Sequence, residues 1–168
     1  MHKIARQFLR GTMASDVMDG SLFGANAQLE NWRLLAHSFI DVCVDLKDMK
    51  TPTPDTLRAA TVTSLTITEK TLSLVFPHLN SDGVGGKEGG IWSPLAVRLL
   101  GRKIVMHGSV LFRWGSAAGK VTSIHSQADM IRPILTLLGS LKDVACVFDK
   151  ALVTPEGTCD TRMQNFYL

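Results

Sequence analysis

Three side chains in this sequence could move protons. Asp129 stands between a strand-like run and an apolar helical run, and His107 and His125 lie on neighbouring β-like segments. A carboxyl enclosed by apolar groups holds its proton more tightly, which suits acid–base transfer near neutral pH. Imidazoles titrate in the same range. Facing one cavity, the three would form a proton relay. Each also has a structural role open to it. Asp129 directly precedes a helical run beginning at Met130, where a carboxylate accepts bonds from free backbone N–H groups. The two roles can coexist. His107 shares its face with Val105, Ser109, Leu111 and Arg113, and His125 aligns with Ser123 and Gln127, which equally describes a dimer surface. The opposite face carries Met106, Val110, Phe112 and Trp114 and reads as the lining of an apolar pocket. Trp32, Phe76 and Trp92 join them as core residues, some expected to touch a ligand.

Other chemistries lack their residues. The run NSDGVGGKEGG at 80–90 has the glycines of a phosphate cradle, but Glu88 follows Lys87 where a P-loop needs Ser or Thr. It reads as a surface loop or a pocket lid. No Ser-His-Asp order and no HExxH is present. Cys43, Cys146 and Cys159 are odd in number and far apart, without CxxC or zinc spacing. Neither a metal nor a cofactor is expected. Reduced cysteines point to an intracellular protein, cytoplasmic or nuclear.

These groups must be positioned by elements that the hydrophobic periods outline. Ile4, Phe8, Leu9 and Met13 fall on one side of a short helix over 2–13, and Leu29, Trp32, Ala36, Phe39 and Ile40 mark a helix over 26–40. Then the period changes. Val42, Val44 and Leu46 alternate with polar residues as in a half-buried strand, and Thr51–Asp55, with two prolines, reads as a turn. A strand is expected over 57–67, a strand or short helix over 70–76, and a helix opening at Ser93-Pro94. Long strands follow over 102–114 and 120–128, joined by a hairpin, and then helical runs over 130–138 and 141–152. The segment after Pro155 is expected to be loose. Helices segregated from antiparallel strands indicate α+β. A curved sheet closed by the N-terminal helices would enclose a pocket. The expected organisation is a domain over 1–152 and a tail over 153–168.

Composition narrows the partners. The chain has 168 residues, 45% hydrophobic and 20% charged, with a net charge of +3. That suits one globular domain, not disorder. No apolar run approaches the roughly 18 residues of a spanning helix, so no membrane partner is expected. The start, MHKIARQFLRG, lacks the apolar stretch of a secretory signal. A helix opening so early is expected of a domain cut from a longer protein. Basic residues look scattered, the densest group being Arg98, Arg102 and Lys103 with Arg113 further on. No recognition helix or basic region is visible, so direct nucleic-acid contact is not expected.

The stretch Trp92–Gly139 is similar to the C-terminal half of nuclear-transport-factor-2-like domains of the SnoaL type. The matching marks are Gly101, Arg113-Trp114, Gly119-Lys120-Val121, Asp129 and Leu138-Gly139. FLRGTMASDVMDG and ENWRLLAHSFIDVCVDL resemble that family's opening helices and first long strand, so the likeness spans about residues 3–150. It implies a cone-shaped barrel, a curved antiparallel sheet wrapped around N-terminal helices. In SnoaL-like cyclases an Asp at the place of Asp129 is a general acid/base within the pocket, and dehydratases of this fold use a relay of the kind His107 or His125 could supply. The ketosteroid isomerase variant needs a Tyr and a second acid. Here Tyr167 is in the tail and Val110 stands near the place of that acid.

A narrower likeness rests on LENWRLL, VFPHLNSDG, WSPLAVRLLG, HSQADM and ALVTPE. These resemble the domain C-terminal to the basic zipper in oomycete transcription factors. The basic region and zipper are absent, so DNA binding does not carry over. The resemblance implies a non-enzymatic regulatory module that forms a homodimer and takes an apolar small molecule. The alternative is a SnoaL-like cyclase, isomerase or dehydratase using Asp129.

Overall fold

The computed structural model describes residues 2–80, 91–160, 162 and 163. The Gly-rich stretch 81–90 and Tyr167, singled out above, lie outside them.

Helix α1 (His2–Thr12) leads into strand β1 (Met13–Asp19) and the short β2 (Leu22–Phe23). Helix α2 (Ala25–Ser38) turns the chain into two long strands, β3 (Ile40–Thr53) and β4 (Thr56–Thr66). Helix α3 (Glu69–Val75) is the helical alternative of the 70–76 run. Thr68 and Thr71 cap it reciprocally, each side chain bonding the other's backbone N–H, at 3.2 and 2.9 Å. Helix α4 (Pro94–Leu99) opens as the sequence indicates, with Ser93 Oγ accepting the Ala96 N–H at 3.2 Å and Pro94 in the first turn. Strands β5 (Lys103–Gly115) and β6 (Lys120–Ala128) form the hairpin, and α5 (Ile131–Leu138) and α6 (Leu141–Phe148) follow. Gly139, at φ 71°, closes α5 in the left-handed conformation that glycine adopts without a Cβ penalty.

One curved six-stranded sheet runs in the order β2-β1-β6-β5-β4-β3. Every pairing is antiparallel except β1 with β6, which is parallel. β3 is an edge, which is why Pro52 is tolerated inside it. Residues opposite each other across a ladder share a face. Pairs such as Leu65–Ile104, Thr63–Met106, Ala59–Val110 and Phe112–Ile124 therefore turn inward, toward the helices. Val62–His107, Ala60–Ser109, Leu111–His125 and Arg113–Ser123 turn outward.

The inner face feeds two apolar clusters. One gathers Phe39, Leu65, Phe76, Ile104, Met106, Met130 and Ile134 with α3 to α6, and the other joins Leu9, Met13, Val17, Leu29 and Ile124 beneath α1 and α2. The segment after Pro155 is not loose in its described part. Leu152, Val153, Cys159 and Met163 are buried in the first cluster. The Leu152 N–H donates to the Val75 carbonyl at 2.8 Å, the Cys159 N–H to Asn31 Oδ1 at 2.8 Å, and the Pro155 carbonyl accepts from the Met130 N–H at 3.0 Å. The last two bonds tie the expected tail to α2 and to the entrance of α5. Among the described residues no helix is long and apolar enough to cross a membrane.

Candidate functional site

β5 and β6 carry both histidines on the outer face, and the turn out of β6 brings Asp129 there as well. The Asp129 N–H donates to the His107 carbonyl at 3.1 Å, so the two residues stand side by side at the last rung of the sheet. They line an open groove of about 360 Å³ between β5 and α5. Val105, Pro133 and Leu137 supply its apolar surface, and Lys103, His107, Asp129, Arg132 and Thr136 its polar surface. A shallower hollow continues from His107 and Asp129 past Ser109 and Gln127 to Glu156. His125 lies further along the face, where its Nε2 is 2.9 Å from Gln127 Nε2. The amide donates in that contact, so the imidazole nitrogen accepts.

Asp129 does what a residue at a helix entrance does. Its Oδ1 accepts the Arg132 N–H at 3.0 Å, and Oδ2 is 3.7 Å from Arg132 Nε. Its side chain is 46% exposed, so the apolar enclosure expected around it is absent. The physical reason is strand parity: Ala128 turns inward, so Asp129 turns outward.

The seven expected lining residues do not share one cavity. Phe76 and Met106 are buried in the first cluster with Trp92 packed against it, and Val110 and Phe112 pack on the second. Trp32 and Trp114 are about half exposed. The face assigned to Met106, Val110 and Phe112 is the inward one; Ile104 and Met106 are buried on it, whereas Val110 and Phe112 are only half-buried and Trp114 stays half exposed toward the hairpin end. Further along that face, the edge strand leaves apolar groups uncovered. Val44, Leu46 and Met49 are each more than half exposed. Lys47 is the extra residue of a bulge opposite β4, and the bulge returns Met49 to the inner face with Leu46. Simple alternation through 42–46 gives no sign of that shift. Among the described residues no group of three or more His, Cys, Asp or Glu is placed to hold a metal ion.

A family model described as "BZIP transcription factor 1 C-terminal domain" matches residues 2–38, which span α1 through α2. No curated protein matches the sequence. Among solved structures, the chain is similar to a SnoaL-like polyketide cyclase from Agrobacterium tumefaciens, at 16% identity and a TM-score of 0.53, over 82% of this chain and 88% of that one. It is similar to IdmH, a putative polyketide cyclase from Streptomyces antibioticus, at 17% identity and a TM-score of 0.50, over 83% and 90%. TsrD from Streptomyces laurentii matches at 15% identity and a TM-score of 0.51, over 83% and 87%. The fold is therefore the SnoaL-like, nuclear-transport-factor-2-like cone, and its opening two helices carry the match to the C-terminal domain of a basic-zipper transcription factor.

Proposed function

We infer that this domain is a non-catalytic regulatory module, of the kind carried by basic-zipper transcription regulators, which self-associates through the outer face of its sheet. One observation carries the reading: Asp129, His107 and His125 all face outward, while the inward residues of β5, Ile104, Met106, Gly108, Val110 and Phe112, include no titratable group. The outer face is also built to meet another surface. Ala60, Val62, Ser64, Ser109 and Leu111 at its centre are small or half-buried, and Val105 adds exposed apolar area. Strands β3 to β6 span roughly 20 Å by 35 Å at ordinary strand spacing and rise, or about 700 Å². A stable interface takes about 800 Å² from each partner. The exposed inner-face stripe of Val44, Leu46 and Met49 offers an apolar small molecule a place at the mouth of the cone.

Sedimentation equilibrium of the wild type and of Val62→Asp/Leu111→Asp tests the reading. A dimeric wild type and a monomeric, folded variant are expected. A monomeric wild type at tens of micromolar overturns it.

A second reading has its own observation, the shared groove of His107 and Asp129 flanked by Lys103 and Arg132. Those groups could move a proton on an anionic substrate bound outside the cone. Loss of a measured turnover in Asp129→Asn with the fold intact would favour this acid–base alternative.

A further inference from the structure

We propose that the cationic face of α1 is a nucleic-acid backbone contact, binding the phosphates of duplex DNA without reading sequence. The helix holds Lys3, Arg6 and Arg10 and no acidic residue. Its three cations equal the whole net charge of +3, and outside α1 the remaining Lys and Arg balance the 15 acids. The chain is thus a neutral body with one charged helix.

The geometry gathers what the sequence spaces apart. Positions 3, 6, 7 and 10 fall on one face of a helix. Lys3, Arg6, Gln7 and Arg10 are all exposed, and among the described residues they line a shallow hollow of about 400 Å³. None of the three cations makes an ion pair among the described residues. Lys120 adds a further cation at the end of the same helix, its Nζ donating to the Arg10 carbonyl at 2.8 Å. That bond also fixes α1 against the β5–β6 hairpin.

The opposite side of α1 is committed elsewhere, with Leu9 buried and Ala5 packed in the second cluster. With Leu9 and Ala5 docked, the helix presents its cations outward as a row. At 1.5 Å rise per residue the row spans about 10 Å, within reach of three successive phosphates. Arg and Gln both bond phosphate oxygens well. A membrane surface suits the helix less well. The exposed Ile4 and Phe8 lie on the flank away from Arg6 and Arg10, so one flat surface cannot take both sets. The choice of duplex DNA among polyanions rests on the regulatory reading above, and it departs from the sequence expectation of dispersed charge.

Fluorescence anisotropy with a labelled 20-base-pair duplex of mixed sequence, run from 50 to 200 mM KCl, tests the inference. Neutralising three phosphates gives a slope of about −2.7 in log affinity against log salt, or about 40-fold weaker binding across that range. The slope needs no variant. Lys3→Gln/Arg6→Gln/Arg10→Gln should lose at least tenfold at 50 mM salt. The charge-matched control Arg102→Gln/Lys142→Gln/Lys150→Gln should keep the wild-type affinity. Absence of binding at 50 mM, equal losses in both variants, or tighter binding to phosphatidylserine vesicles than to the duplex would each overturn it. Sedimentation of the same samples separates the two proposals: a monomer that binds the duplex rejects only self-association, and a dimer that does not bind rejects only the α1 contact.

Discussion

Raising the pH should loosen this protein through a single thiol. Cys159 is 5% exposed, in the segment that returns after α6 to pack on the core. Burial pushes its thiol up from 9.0 to about 12. A thiolate in that position would lose its hydration without gaining a cation. The folded state therefore keeps the proton when the unfolded chain has released it. This contribution is fully present below pH 9 and is lost as the pH rises toward 12. At pH 10.5, one and a half units above the unfolded value, the loss is about 2 kcal/mol. Urea unfolding at pH 8 and pH 10.5 measures it. With a denaturant slope near 2 kcal/mol per molar, the wild-type midpoint should fall by about 1 M more than that of Cys159→Ala. The variant cancels the alkaline effects of lysines and other groups. Thiol titration gives an independent check, since Cys43 and Cys146 are exposed and should react at once while Cys159 waits for the segment to open. Equal pH slopes in the two proteins, or three thiols reacting together, would refute the argument that this segment is packed.

Two substitutions probe the sheet and its exit. Gly108→Ala would place a Cβ 2.5 Å from the Gln127 carbonyl oxygen, a backbone atom that cannot swing aside, so the β5–β6 pairing should shift. A cost of about 1–3 kcal/mol is expected in thermal or urea melts, with lost amide protection along β6. Asp129→Ala should cost about 1 kcal/mol by removing the acceptor for the Arg132 N–H, whereas Asp129→Asn should keep most of that stability because the amide oxygen still accepts.

Much of the fold was legible because its elements are long and periodic. The 3.6-residue spacing of Leu29 and Trp32, the alternation through Val42–Leu46 and the Ser93-Pro94 entrance each correspond to an observed element. β1 was missed. MASDVMD has too few apolar residues to alternate convincingly, and its partner β6 lies more than a hundred residues away. The buried part of the tail was missed because Val153, Cys159 and Met163 follow no period; they fill gaps between helices. At the candidate site, parity along β5 and β6 was readable, so His107 and His125 were correctly placed on one face. Whether the other face encloses a cavity depends on how helices fill it, which no local pattern encodes. The α1 cations were passed over because apolar residues separate them in sequence, and only the helix brings them into one row.

The parallel pairing of β1 with β6 also orders the folding of the chain in time. β3 to β6 form a meander in which each strand can pair with its predecessor as soon as both exist. β1 must instead join residues more than a hundred positions away, at a loop-closure cost that later contacts have to repay. The N-terminal strand of this domain is thus among the last to dock, and α1 and the second apolar cluster stay incomplete until β6 has been made. During that interval Leu9, Met13 and Val17 are exposed to solvent, so nascent chains should be most prone to aggregation or chaperone capture just before β6 emerges.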